Sequence, residues 1–267
     1  MEWNEFLTKL RMPEEAVHQL NAVEMSEEEY VRAKYLYQQE RPIFSMNILQ
    51  EADFPIRFLY CFSRMAWELY TSGEWEKRCQ IFREVSLCEE QIFWDTFYDL
   101  TLWCEDYVKK HGTYGFVQYD WIWRHLDGSL FRLGRLQFEV LENLIHIHIP
   151  AGVPLEIQEV KQSLEMAKKV WGTKKPYVCH SWLLDPALQQ ILKKESNILQ
   201  FQKLFRISSV DHETREAEER IFGEVKEALE EYPAHTSLQK QAREYLMEGK
   251  LLGNGYGMLK MNQLNTR

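Results

Sequence analysis

The sequence has few of the features that mark secreted, membrane-spanning or nucleic-acid-binding proteins. No two cysteines form a Cys-x-x-Cys pair, and their odd number, five, provides no disulfide framework, so we expect reduced cytoplasmic thiols. The first residues lack the positive and apolar regions of a signal peptide, and no apolar run approaches the ~20 residues of a membrane helix. A cytoplasmic protein without a membrane partner is therefore expected.

The charge balance excludes a further class of partner. Asp and Glu number 41 against 32 Lys and Arg, a formal net charge of -9, and no basic cluster is interleaved with aromatic residues. Because phosphate binding requires a basic face, we expect no nucleic-acid partner. The 45% apolar and 27% charged contents are typical of a soluble globular protein. A small-molecule substrate is the expected partner, and the sequence does not indicate an oligomeric state.

Residues 1–117 have a helical pattern throughout. Their apolar residues recur at three- and four-residue spacing up to about residue 112, and a capping box of Ser26 and Glu29 begins one helix. A single helix is predicted over residues 90–110. The aromatic stripes are expected to form a core, as are four cysteines, Cys61, Cys79, Cys88 and Cys104. We therefore predict a helical domain over 1–117 without chemistry of its own.

From residue 118 onwards the pattern combines strands with helices. A strand pattern over 130–141, a turn at Glu142-Asn143 and a second strand over 144–149 predict an antiparallel hairpin. The later predicted elements are a helix after Pro154, an extended segment at 177–184, a strand at 205–210, a helical stripe within 213–232, a helix at 237–248 and a strand at 251–261 with an Asn254-Gly255 turn. This order predicts an α+β fold, with a mixed-sheet domain over 118–267.

The stretch from Leu144 to Gly152, Leu-Ile-His-Ile-His-Ile-Pro-Ala-Gly, carries the strongest candidate site. Alternate residues of a strand point to opposite faces, so His146 and His148 share one face and the three isoleucines share the other. An imidazole titrates near neutral pH, which makes either histidine a candidate general base. Glu139, on the paired strand, is a candidate either to orient a histidine or to act as the base itself.

Other interpretations of these residues remain open. A hydrogen-bonded histidine pair is also compatible with a purely structural role in the sheet. A metal site would take Cys179 or His180 from a later strand, but no third and fourth ligands recur at a recognised spacing, so no metal cofactor is expected. Tyr256, which lies in a glycine-rich segment, is a candidate acid.

Four phrases in this order, FRLGRLQFE, HIHIPAGVPL, CHSWLLDPALQQIL and SNILQFQKLF, resemble a family of bacterial two-part proteins. Members of that family pair a helical acyltransferase N-terminal domain with a GNAT-like C-terminal domain. The similarity covers residues 118–222, and the preceding half agrees in helical character. It implies a GNAT-like mixed sheet flanked by helices, and an acyltransferase that takes acyl-coenzyme A as donor and an unknown small acceptor.

The resemblance also implies a place for the donor. In GNAT-like enzymes acyl-coenzyme A lies between two splayed central strands. The loop after the first of them wraps the pyrophosphate at a helix N-terminus, where backbone amides and the helix dipole favour anions. On this chain the matching strand is 144–149. The residues that the resemblance implies for donor binding are Ile147, Ile149, Ala151, Gly152, Val153 and Asn197.

The chain departs from the usual GNAT pattern at two places. The loop has one glycine instead of Arg/Gln-x-x-Gly-x-Gly/Ala, and Pro154 removes an amide donor. Leu204 stands where a Tyr is usual, seven residues after the Asn. Our leading hypothesis is an N-acyltransferase with His148 or Glu139 as base. A non-catalytic GNAT-like ligand-binding protein is second, and a metal-dependent hydrolase using His146 and His148 is third.

Overall fold

The computed structural model of the chain describes residues 1–39 and 54–261. Helices come first along the chain, and strands with flanking helices follow, so the α+β class predicted from the sequence is confirmed. The described residues form two compact units. Within these ranges no helix combines the length and apolar character needed to cross a lipid bilayer.

The first unit comprises Met1–Leu133 and Pro150–Gly152 and is predominantly helical. Its described helices are α1 (Trp3–Lys9), α2 (Glu14–Asn21), α3 (Glu27–Gln39), α4 (Phe54–Thr71), α5 (Glu74–Arg78), α6 (Gln80–Glu84), α7 (Glu89–Phe97), α8 (Asp99–His111) and α9 (Tyr119–Asp127). One strand, β1 (Leu130–Leu133), follows α9 and packs against α7. Gly112 ends α8 at a φ of 73°, as its position after the apolar pattern predicts.

Aromatic side chains form the core of this unit. The rings of Phe93 and Phe97 have centroids 4.6 Å apart, and Trp75 packs edge-on against Phe93 at 5.2 Å. All three side chains are buried. Such pairs contribute ~0.5–1.5 kcal/mol beyond the burial of their rings. The expectation that the aromatic stripes form a core is confirmed.

The single helix predicted over 90–110 is in fact two helices, α7 and α8, which meet at Tyr98. Asp99 begins α8, and its Oδ2 lies 3.0 Å from Nε2 of His125 in α9. Both residues are buried, and a buried carboxylate requires such a hydrogen-bonding partner. This pair had no signature in the sequence, because its two members lie on different helices.

The second unit comprises Gly134–Ile149 and Val153–Arg267 and is built on a sheet. Its strands are β2 (Leu136–Val140), β3 (Ile145–His148), β4 (Tyr177–Ser181), β5 (Phe205–Asp211) and β6 (Asn254–Leu259). They lie in the order β2-β3-β4-β6-β5, with β3 and β4 parallel and the other neighbours antiparallel. Its described helices are α10 (Ile157–Trp171), α11 (Leu188–Ile191), α12 (Asn197–Lys203), α13 (Glu216–Phe222) and α14 (Ser237–Met247).

The strand predicted over 130–141 is interrupted. Gly134, at a φ of 65°, and Arg135 separate β1 from β2. A side chain is strained at this φ and would also meet Ser163 Oγ of α10 at 3.0 Å, so both the backbone and the helix favour glycine at this turn. The turn was missed because Arg132 and Gly134 were assigned to the same strand face as Leu136, although the apolar phase changes at Gly134.

No turn occurs at Asn254-Gly255, where the sequence predicts one. Both residues lie within β6, opposite Asp211 and Val210 of β5. Gly255 is buried, and the carbonyl group of Leu184 packs against it so closely that a side chain has no space. The glycine therefore serves the close approach of two backbone segments and not a hairpin turn.

The acidic segment at 213–232 is helical only in part. Helix α13 ends at Phe222, because Gly223 adopts a φ of 91°. Val225, predicted in the buried stripe, is exposed. Tyr232 is buried as predicted, but its hydroxyl donates to Glu218 Oε2 at 2.6 Å. This segment therefore packs against the core through a hydrogen-bonded tyrosine and not through a continuous helix.

Four of the five cysteines are buried, and Cys88 is exposed. The expectation of a buried Cys88 was wrong, because this residue precedes α7 instead of lying inside a helix. Burial raises the pKa of Cys61 and of Cys79 to about 12 and that of Cys104 to about 11. Burial likewise raises the pKa of Cys179. A neutral, inaccessible thiol is a poor nucleophile, so none of these four is a candidate catalytic group.

The exposure of the thiols predicts their reactivity. At pH 8 an aromatic disulfide reagent is expected to modify only Cys88 in the native protein, because the four buried thiols are both shielded and protonated. After denaturation all five are expected to react. Mass spectrometry of the labelled protein counts the modified thiols. Rapid labelling of a Cys88→Ser variant in its native state would contradict the prediction.

The close approach at Gly255 predicts a large loss of stability on its replacement. In Gly255→Ala the new Cβ overlaps the backbone carbonyl of Leu184 and lies 2.8 Å from the Cβ of that residue. The free energy of unfolding is expected to fall by roughly 3 kcal/mol in chemical denaturation. Ser209→Ala, at an exposed site on β5, is the control and should change it by less than about 0.5 kcal/mol. Equal free energies of unfolding for the two variants would contradict the prediction, because the sheet would then have shifted to make room for the new side chain.

Candidate functional site

The hairpin of β2 and β3 places two histidines and a glutamate on one face of the sheet. Its register pairs Glu139 with His146 and Gln137 with His148. Directly paired residues point to the same side of a sheet, and alternate residues point to opposite sides. Ile147, on the other side, is fully buried. The hairpin and the facing of its histidines, both predicted from the sequence, are confirmed.

Glu139 and His148 form a hydrogen bond on this polar face. The Nε2 atom of His148 lies 3.0 Å from Oε2 of Glu139. Their side chains are 15% and 7% exposed, respectively, so the pair is largely protected from water. In the tautomer that carries its proton on Nε2, the imidazole donates to this carboxylate. Nδ1 is then the atom of His148 that can accept a proton.

His146 completes a cluster of three residues. The centroid of its ring lies 4.3 Å from that of His148. One nitrogen or oxygen atom from each of Glu139, His146 and His148 lies within 4.8 Å of the other two. Two imidazoles and a carboxylate at these separations can transfer protons or coordinate one metal ion.

Tyr256 lies on the same face of the sheet, on β6. It pairs with His180 of β4, and their ring centroids are 6.4 Å apart. Val178 of β4 is paired with His146 on one side and with Met258 on the other, which lies two residues from Tyr256. The register therefore places all four predicted catalytic residues on one face, with the phenol 37% exposed.

The other metal ligands that the sequence suggested do not join the cluster of Glu139, His146 and His148. Cys179 follows Val178, so it faces the opposite side of β4, where it is fully buried. His180 is exposed and contacts Tyr256 instead. The geometry therefore separates these two residues from the histidines of β3.

β3 and β4 run side by side only at their first residues. The parallel register joins Ile145 with Tyr177 and His146 with Val178, and in the described part of the chain it extends no further. The remaining residues of β4, up to Ser181, pair with β6 on the other side. The parallel pairing therefore ends after His146, two residues before His148.

Arg135, which the sequence analysis did not identify, holds the loop that follows β3. Its Nε donates to the carbonyl oxygen of Pro154 at 2.9 Å, and its Nη2 donates to that of Val153 at 2.8 Å. Its backbone N–H donates to Ser163 Oγ of α10 at 2.8 Å. Arg135 is buried, whereas Val153 and Pro154 are exposed. A buried guanidinium thus fixes the loop from one side and leaves its other side open to solvent.

The remaining predicted donor-binding residues lie after β3, with one exception. Ile149 is half-buried, and Ala151 and Gly152 are exposed, with Gly152 at a φ of 96° that favours glycine. Asn197 belongs to α12, and its Nδ2 donates to Oε1 of Glu156 at 3.0 Å. This bond joins the beginning of α12 to the beginning of α10, next in sequence to the loop.

Comparison with protein families finds one match in each half of the chain. Residues 83–128 match the N-acyltransferase N-terminal domain, and residues 130–259 match the GNAT-like C-terminal domain. A search among curated proteins found no match.

Solved structures of acyltransferases share the fold. One in complex with decanoyl-CoA and teicoplanin has a TM-score of 0.75 at 20% identity, over 97% of this chain and 87% of that chain. A mutant acyltransferase in complex with octanoyl-CoA has a TM-score of 0.75 at 20% identity, over 96% of this chain and 87% of that chain. An acyltransferase in complex with CoA and 10C-Teicoplanin has a TM-score of 0.75 at 20% identity, over 97% of this chain and 88% of that chain. The chain therefore carries, in this order, a region similar to the N-acyltransferase N-terminal domain and a region similar to the GNAT-like C-terminal domain.

Proposed function

We propose that the protein is an acyl-CoA-dependent N-acyltransferase in which His148 is the general base. The observation that carries the proposal is the hydrogen bond of 3.0 Å between His148 Nε2 and Glu139 Oε2. The carboxylate keeps one proton on Nε2 and stabilises the imidazolium that forms when Nδ1 takes a second. The domain family of the chain supports the reaction class.

The proposed reaction moves an acyl group from sulfur to nitrogen. The acceptor amine attacks the thioester carbonyl, and His148 takes a proton from the amine. The new C–N bond forms as the C–S bond breaks, which gives an amide and the thiolate of coenzyme A. Tyr256 is our candidate to protonate that thiolate, because Leu204, where GNAT enzymes usually have a tyrosine, is buried and has no proton to give.

We propose that the donor lies along β3, beyond its last pair with β4. There the backbone of Ile147 and Ile149 hydrogen-bonds the amides of the pantetheine arm, much as an added strand pairs with a sheet edge. The amides of Ala151, Gly152 and Val153 face the pyrophosphate, whose charge is stabilised by the dipole of the following helix. An amide of β3 also polarises the thioester carbonyl.

Glu156 links Asn197 to this proposed donor site. The Asn197–Glu156 hydrogen bond holds the residue that precedes α10, so Asn197 is proposed to position the start of that helix. It is proposed to act on the donor through the helix.

The proposed substrates are a medium-chain acyl-CoA and a small molecule with a primary amine. Octanoyl-CoA and decanoyl-CoA are bound in the structures of similar fold, so these two donors are the first to test beside acetyl-CoA. Teicoplanin, bound in one of those structures, is a reasonable trial acceptor.

Calorimetry with the three donors tests the proposal directly. At least one donor is expected to bind with one-to-one stoichiometry and a Kd below about 1 mM. No binding of any donor at millimolar concentration would overturn the proposal. Binding without transfer to any amine would favour a non-catalytic ligand-binding protein, which the single-glycine loop and the buried Leu204 also favour.

Substitutions of the base and of its partner are expected to differ in their effect. His148→Gln should lower kcat by about 100-fold or more, because general-base catalysis contributes ~10²–10⁴-fold. Glu139→Gln keeps the base but weakens its orientation, so a loss of roughly tenfold in kcat is expected. Release of free coenzyme A thiol measures both. His235→Gln, at an exposed site before α14, is the control. Full kcat in His148→Gln would refute the assignment of the base.

Arg135 is expected to control donor affinity as a positioning residue. In Arg135→Lys an ammonium cannot reproduce the fork that holds two carbonyl groups, so the loop loses its fixed shape. KM for acyl-CoA should rise roughly tenfold, as one lost charged hydrogen bond predicts, with kcat nearly unchanged. Arg206→Lys, at an exposed site on β5, is the matched control. A fall in kcat at constant KM would show that Arg135 does not act through donor binding.

A further inference from the structure

The cluster of Glu139, His146 and His148 has the dimensions of a metal site. Zinc lies ~2.0–2.2 Å from nitrogen and oxygen ligands, so two ligand atoms of one tetrahedral ion are about 3.4 Å apart. The Nε2 of His148 and Oε2 of Glu139 are 3.0 Å apart, and all three ligand atoms lie within 4.8 Å of one another. Side-chain rotations that shorten the widest separation by at most roughly 1.4 Å bring all three onto one ion.

The chemistry of these three side chains selects the kind of ion. Imidazole and carboxylate together suit Zn²⁺ and its neighbours among the transition metals, whereas Mg²⁺ and Ca²⁺ prefer oxygen ligands alone. The two histidines alternate on β3, and Glu139 lies opposite on β2, so the hairpin register fixes the spacing of the ligands.

We infer that Glu139, His146 and His148 bind one Zn²⁺ ion and that the bound ion switches acyl transfer off. A neutral imidazole that ligates the ion through Nε2 carries its single proton on Nδ1, so Nδ1 of His148 then has no lone pair to take the proton of the acceptor amine. The inhibitory part of this inference rests on the proposed function. The metal site itself does not, since it follows from the ligand geometry.

Calorimetry on the full chain without a histidine tag, first stripped of metal by a chelator, tests the site in the absence of any acyl substrate. One equivalent of Zn²⁺ is expected to bind, and Mg²⁺ is not. Co²⁺ in place of Zn²⁺ should show the intense visible absorption of an ion with low coordination number. The absence of a one-to-one Zn²⁺ site, or a Co²⁺ spectrum like that of the hydrated ion, would overturn the inference.

Variants locate the ion. His146→Gln, His148→Gln and Glu139→Gln are each expected to weaken Zn²⁺ binding at least tenfold. His180→Gln is the matched control, because His180 is an exposed imidazole on the same face of the sheet but outside the cluster. If His180→Gln weakens binding as much as His146→Gln does, the ion is held elsewhere and the inference is wrong. The cobalt spectrum of the unmodified protein decides the matter if a variant does not fold.

Inhibition is tested separately from binding. Zn²⁺ titrated into an acyl-transfer assay should abolish activity at the concentration where it binds, and a chelator should restore it. A rate that rises with Zn²⁺ would overturn the inhibitory role. If the metal-free protein transfers no acyl group from any donor, the proposed function fails, whereas the calorimetric result still decides whether the metal site exists.

Discussion

The antiparallel register of β2 and β3 is the constraint on which the candidate site depends. It brings Glu139 opposite His146, and a slip of one residue would turn the carboxylate into the core. The apolar side of the hairpin prevents such a slip. Phe138 packs against Trp171 of α10 with ring centroids 5.7 Å apart, and Ile147 is fully buried beside it in the register. Because these side chains can face only the core, the polar side chains between them must share the other face.

A second buried pair, in the first unit, differs from the candidate pair in the exposure of its histidine. Asp99 and His125 form a contact of 3.0 Å, as Glu139 and His148 do. The side chain of His125 is 0% exposed, and Trp103 packs against its ring, whereas that of His148 is 15% exposed. Buried ionisable pairs are costly to hold in a fold, so they persist where structure or function requires them. Of these two histidines, His148 is the one whose side chain is partly exposed beside its carboxylate.

What could be predicted from the sequence depended on how far apart along the chain the interacting residues lie. The strand of alternating isoleucines and histidines and its hairpin were predicted because nine consecutive residues and one turn specify them. The role of Gly255 was missed because it depends on Leu184, which lies far away in the chain. The hydrogen bonds from Arg135 to the carbonyl groups of Val153 and Pro154 were missed for the same reason, since these two residues follow β3. The face of a strand that a residue occupies follows from its neighbours in sequence, whereas contacts between distant segments leave no periodic pattern.

The same hydrogen bonds of Arg135 bear on the shortage of glycines in the proposed donor loop. In a planar trans peptide the carbonyl oxygen and the next amide hydrogen point in opposite directions. Arg135 draws the carbonyl of Pro154 towards itself, so the amide hydrogen of Leu155 points away from the guanidinium, just before α10 begins. The carbonyl of Val153 is held in the same way, but its peptide partner is Pro154, which has no amide hydrogen. The proline therefore removes one donor only, and the fixed amide of Leu155 remains available for the anion that we propose at the start of the helix.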